Sequence, residues 1–135
     1  MVDGMQPEIL VLALGALLLI AQIFLAGHLK TKQFGADWNI GARDEPLPPL
    51  NVHAARASRA QDNLMETFPV AIIALFGVVL AGRTGDMTAI GGWLWLAMRV
   101  IYVPIYLMGI KGLRTIVFLI SLVGLLIVLL PLVLG

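Results

Sequence analysis

Apolar residues fall into four long blocks separated by short polar interruptions. Each block is close to the ~20 residues a helix needs to cross ~30 Å of hydrocarbon. The pattern predicts spans over about Ile9 to His28, Val52 to Ala81, Thr88 to Ile110, and Thr115 to the end. The second block stands apart. Its stretch Arg56 to Thr67 is polar and runs into Phe68 to Ala81 without a turn signal, so its first two turns are expected to extend beyond the hydrocarbon. Trp93 and Trp95 open the third span, where an interfacial aromatic belt is expected. The fourth is an uncharged Leu/Ile/Val stretch with Pro131 in its last turn, where disruption is cheap.

Most connections are short. The exception, about twenty residues between the first two spans, carries Gly35, Gly41, Pro46, Pro48 and Pro49 and reads as turn-rich with no helix of its own. Short links and the absence of an internal repeat predict one all-α integral-membrane domain over residues 1–135, a four-helix up-down bundle. Composition agrees: 60% hydrophobic residues, 13% charged and a mean hydropathy of +0.97 exclude an ordinary soluble domain. The formal charge of +1 gives no reason to expect nucleic acid. Acidic flanks (Asp3, Glu8) and the lack of a small-residue cleavage site make the first block a retained span rather than a signal peptide. Lys30, Lys32, Arg43, Lys111 and Arg114 flank the first and third connections, against Arg83 alone at the second. The positive-inside rule then places both termini outside and both basic connections in the cytoplasm.

Polar positions inside the spans carry the chemistry. Arg56, Arg59, Asn63 and Glu66 are spaced 3, 4 and 3 apart, on one helix face. Arg99, Tyr102 and Tyr106 repeat that pattern in the third span, and Arg114 follows at the turn into the fourth. An ionisable group at the centre of a spanning helix costs roughly 2.5–3.5 kcal/mol, so such groups normally face the bundle interior. Both faces fall at the same membrane depth and are expected to meet in one cleft. Guanidiniums are bidentate partners for carboxylate or phosphate, Glu66 suits an ammonium, and Asn63 can donate and accept. A small zwitterion with more than one carboxylate satisfies all of them, and glutathione fits. The chain has no cysteine, so any thiol must come from a ligand.

Other readings compete residue by residue. Arg59 with Glu66, or Arg56 with Asp62, could form structural ion pairs, and Arg56 could snorkel to the headgroups. Tyr102 and Tyr106 suit packing at a wet apolar edge. His28 and His53 read as interface residues, the methionines as core filler, and no metal-ligand spacing occurs.

The run Arg56-x-x-Arg59-Ala60-Gln61-x-Asn63-x-x-Glu66-x-Phe68-Pro69 resembles the second-helix signature of the MAPEG family, membrane-associated proteins in eicosanoid and glutathione metabolism. Arg99-x-x-Tyr102-x-x-x-Tyr106 resembles its third-helix motif, and Arg114 falls near the family's glutathione-sulfur arginine. The resemblance implies a homotrimer holding glutathione between subunits near the cytosolic face, with Arg56, Arg59, Asn63, Glu66, Tyr102 and Tyr106 as contacts. It also implies conjugation or peroxide reduction on hydrophobic substrates that enter from the bilayer. Ala55 stands where the family often has Glu, and His28-Leu29-Lys30 replaces an arginine-rich end to the first helix. The eicosanoid substrates are therefore not carried over.

The leading expectation is a membrane-bound glutathione transferase or peroxidase, with Arg114 stabilising the thiolate and Arg99 or a tyrosine hydroxyl as the substitute. A small four-helix transporter is the alternative. Against it, Ile9 to Leu25 carries no ionisable residue, and Glu66 has arginine neighbours. A non-catalytic structural or lipid-binding bundle would show no glutathione-dependent turnover.

Overall fold

The computed structural model describes residues 4–135, and among them every regular element is helical. The elements are α1 (Pro7–Phe34), α2 (Ala36–Ile40), α3 (Val52–Leu80), α4 (Asp86–Met108) and α5 (Leu113–Leu134). All except α2 are long and apolar enough to cross a membrane. The four run alternately up and down. The most extensive packing joins α4 to α5, while α1 lies against α3 and α4.

Local chemistry sets the ends. Pro7 occupies the first turn of α1, where its missing N–H costs nothing. The Asn51 side chain accepts from the Ala54 N–H at 2.9 Å and caps α3. Gly109, left-handed at φ 68°, closes α4. The first helix outruns its expected end at His28 because Lys30 and Lys32 end the apolar pattern without ending the helix; Gly35, at φ 98°, does that. The long connection is not wholly turn, as expected, but opens with the five-residue α2.

Within α3, residues Ile72–Phe76 take the wider π-helical winding. Pro69 lies just upstream and has no N–H to give the preceding turn, a known cause of such local unwinding.

The core forms where α1, α3, α4 and α5 converge, around Val11, Leu64, Leu75, Trp95, Leu125 and Val128. Trp95 is not in an interfacial belt as expected: it is 1% exposed, its ring packed against Phe68 and over Gly15. Trp93 does face outward. The methionines Met5, Met65, Met87 and Met108 are exposed rather than core filler. Gly91 and Gly124 bring α4 and α5 into backbone contact; a Cβ on either would lie 2.6 Å from the other's carbonyl oxygen. Small residues at a crossing are how membrane helices approach closely.

Glu8 is not a solvated flank charge. It is buried, and the Thr88 hydroxyl, which also caps α4, donates to its Oε2 at 2.6 Å. Large apolar side chains such as Leu17, Phe24, Ile73, Leu126 and Val133 cover the outer surface, as a hydrocarbon solvent requires.

Candidate functional site

At the end of the bundle that holds the α4–α5 turn, the polar halves of α3 and α4 face each other. A cavity of about 220 Å³ opens there, lined by Arg59, Asp62, Asn63, Glu66, Tyr102, Tyr106 and Arg114. The polar turns of α3 supply four of these groups, α4 the two phenols, and the first turn of α5 the last guanidinium.

Arg59 and Arg114 flank one phenol. Arg59 Nε donates to the Tyr106 hydroxyl at 3.0 Å, and the Arg114 guanidinium lies 4.9 Å from the centre of the same ring. Tyr106 meets Tyr102 edge-on at 5.5 Å between centroids. Tyr102 is fully buried, and its hydroxyl, beside the cavity and close to the Arg114 guanidinium, has no acceptor for its own hydrogen among the described residues. A buried hydroxyl donor without an acceptor costs on the order of 1–3 kcal/mol. A ligand acceptor in the cavity would remove that cost.

The eight expected site residues divide. Arg59, Asn63, Glu66, Tyr102, Tyr106 and Arg114 line the cavity; Arg56 and Arg99 do not. Arg56 points to the end of α4, where its Nη1 donates to the Leu107 carbonyl at 3.1 Å and its guanidinium packs against Gly109. There it satisfies a carbonyl that the helix terminus leaves free. Arg99 sits behind the cavity wall, 1% exposed. Its Nη1 donates to Asn63 Oδ1 at 2.7 Å, and its guanidinium stacks 4.3 Å from the Tyr102 ring centre and 5.7 Å from that of Phe118.

Asp62 is the lining residue that the sequence reading missed. It was weighed only as a salt-bridge partner for Arg56, yet it stands one helical turn before Glu66 on the cavity side. The available signal was that i, i+4 spacing of two carboxylates. The lining therefore carries two acids and two guanidiniums, a balance suited to a zwitterion rather than to a simple anion.

Arg114 packs on the Tyr106 ring and approaches the Tyr102 hydroxyl, contacts that hold it at the cavity rim. It stands in the first turn of α5, where the helix dipole makes a cation unfavourable by roughly 0.3–1 kcal/mol. The helix terminus and the guanidinium both attract an anion.

The family model of the MAPEG family matches residues 9–134. The chain belongs to the MAPEG family. No curated protein and no solved structure matches it. With four apolar spans, this chain is an integral membrane protein of the MAPEG family. The cavity gathers residues from both motifs on which the resemblance rested, and Arg114 besides.

Proposed function

We propose that the protein is a membrane-bound glutathione-dependent transferase or peroxidase acting on hydrophobic electrophiles. The observation that carries this reading is the single cavity that joins Arg59, Asn63, Glu66, Tyr102, Tyr106 and Arg114. Its donor set matches the functional groups of glutathione. Arg59 is placed for a carboxylate, Glu66 and Asp62 for the ammonium, and Asn63 for a peptide group. The Tyr102 hydroxyl, whose hydrogen has no acceptor, is a further donor.

Glutathione, when bound, supplies a thiol nucleophile. An ordinary thiol of this kind has a pKa of about 8.5, so little is ionised at neutral pH. Arg114 and the N-terminal amides of α5 hold negative charge there, an effect worth roughly 1–3 pKa units for a close guanidinium. A shift of about two units within that range makes the anion the major form at neutral pH. The apolar outer surface gives lipid-dissolved electrophiles a route to the site, and co-localisation then supplies most of the acceleration.

The cavity is smaller than the roughly 300–1,000 Å³ of sites that enclose a drug-sized ligand. A second copy of the chain closing over it would complete the enclosure. This supports the homotrimer, with the site between neighbours on the cytoplasmic side.

The test is turnover in proteoliposomes, offering a hydrophobic aryl halide and a lipid hydroperoxide in turn. Glutathione-dependent consumption of either is expected. Absence of both, in a preparation that glutathione does not stabilise thermally, would overturn the reading.

A further inference from the structure

We infer that Arg99 is a positioning residue that fixes the polarity of Asn63, making Asn63 a pure donor toward the cavity. The inference rests on the glutathione reading and specifies how that site distinguishes the parts of its ligand.

A primary amide has an acceptor end and a donor end, and rotation about its last bond exchanges them at little cost. A free asparagine therefore serves either polarity. Asn63 is not free. Arg99 reaches it from behind the wall, buried at 1% exposure, with Nη1 2.7 Å from the amide Oδ1. A guanidinium carries only donors, so the end of the amide that meets it must be oxygen. This assignment follows from chemistry alone. The NH2 end then turns to the cavity that Asn63 lines.

Arg99 is itself held. Its guanidinium lies against the adjoining rings of Tyr102 and Phe118, at 4.3 and 5.7 Å from their centres, which restricts its rotation. Flipping the amide would set its NH2 against that cation in a buried place, leaving two donors facing each other. Cavity-side specificity follows. Asn63 takes a carbonyl or carboxylate oxygen and rejects an ammonium or amide N–H. The ammonium of the ligand is left to Glu66, about one turn further along α3, and to Asp62, the residue before Asn63. The two ends of a zwitterion are thereby told apart.

Binding of glutathione to the purified full-length protein, by calorimetry, tests this on Asn63→Ala, Arg99→Met and the double variant. Asn63→Ala is expected to weaken binding about 10-fold or more, as loss of a donor to a charged acceptor does. If Arg99 acts through Asn63, the double variant binds no worse than Asn63→Ala. Arg99→Lys, which restores one donor to Oδ1, recovers most of the affinity lost in Arg99→Met. Losses that multiply in the double variant, or an Asn63→Ala that binds like wild type, would overturn the assignment. Asn63→Asp guards against misfolding of the arginine variants. Its carboxylate keeps Arg99 paired, so thermal stability stays at or above wild type, while binding falls at least as far as in Asn63→Ala. An Asn63→Asp that binds normally also overturns the assignment. Wild-type protein that binds no glutathione would overturn the parent reading as well; normal wild-type binding without coupling sinks this inference alone.

Discussion

Three arginines, two on neighbouring turns of α3 and one at the start of α5, occupy three different environments. Arg59 is exposed and bonded to a phenol at the cavity; Arg114 stands at the positive end of α5; Arg56 ties down the end of α4. A charge-assisted contact to a ligand carboxylate contributes on the order of 1.5–3 kcal/mol. Arg59→Ala is therefore expected to raise the Michaelis constant for glutathione about 10- to 100-fold, with assembly intact. Arg114→Ala should instead depress kcat more than binding, because its charge matters most to the ionised thiol. Arg56→Ala should lower thermal stability and disturb glutathione affinity less than Arg59→Ala does. Steady-state kinetics beside melting curves resolve all three. An Arg59→Ala protein that binds glutathione normally but falls into monomers would mean that this face is structural.

Among the elements, the α4–α5 contact is the most constrained. Gly91 and Gly124 oppose each other so closely that Gly124→Ala would place a methyl 2.6 Å from the Gly91 carbonyl oxygen and 2.9 Å from the Trp95 nitrogen. Overpacking of this kind costs roughly 1–3 kcal/mol, and the obstacle is backbone, which yields poorly. Thermal unfolding in detergent should show Gly124→Ala clearly less stable than wild type; equal stability would mean that the helices part freely there. That Gly91 and Gly124 meet was not legible in the sequence, since it depends on how α4 and α5 rotate. The spans themselves were legible, because hydrocarbon demands length and apolarity and little else. Helix ends were read less well where polar residues continued a helix past the membrane, as in Lys30 to Phe34. Much of the candidate cavity's lining was legible too, since 3- and 4-residue spacing puts Arg59, Asn63 and Glu66 on one face whatever the packing. Periodicity assigned Arg56 to that same face; only the position of the α4 terminus shows which way it leans. Nor could spacing reveal that Arg99 meets Asn63 across the interface of α3 and α4.

At the scale of the whole molecule, the apolar exterior suits a protein that works in a membrane, and the polar cavity between α3, α4 and α5 is open enough for another copy to close. Native mass spectrometry of a glutathione-binding preparation is expected to show trimers, and a monodisperse monomer would contradict a shared site. The proposed chemistry turns on charge: a weakly acidic thiol is expected to become its anion beside Arg114. The most direct measurement is ultraviolet difference absorbance of the purified protein on addition of millimolar glutathione near neutral pH. Thiolate absorbance should grow in saturable fashion with wild type and disappear in Arg114→Ala, even where that variant still binds. Binding without thiolate in the wild type, or equal thiolate in Arg114→Ala, would contradict the account.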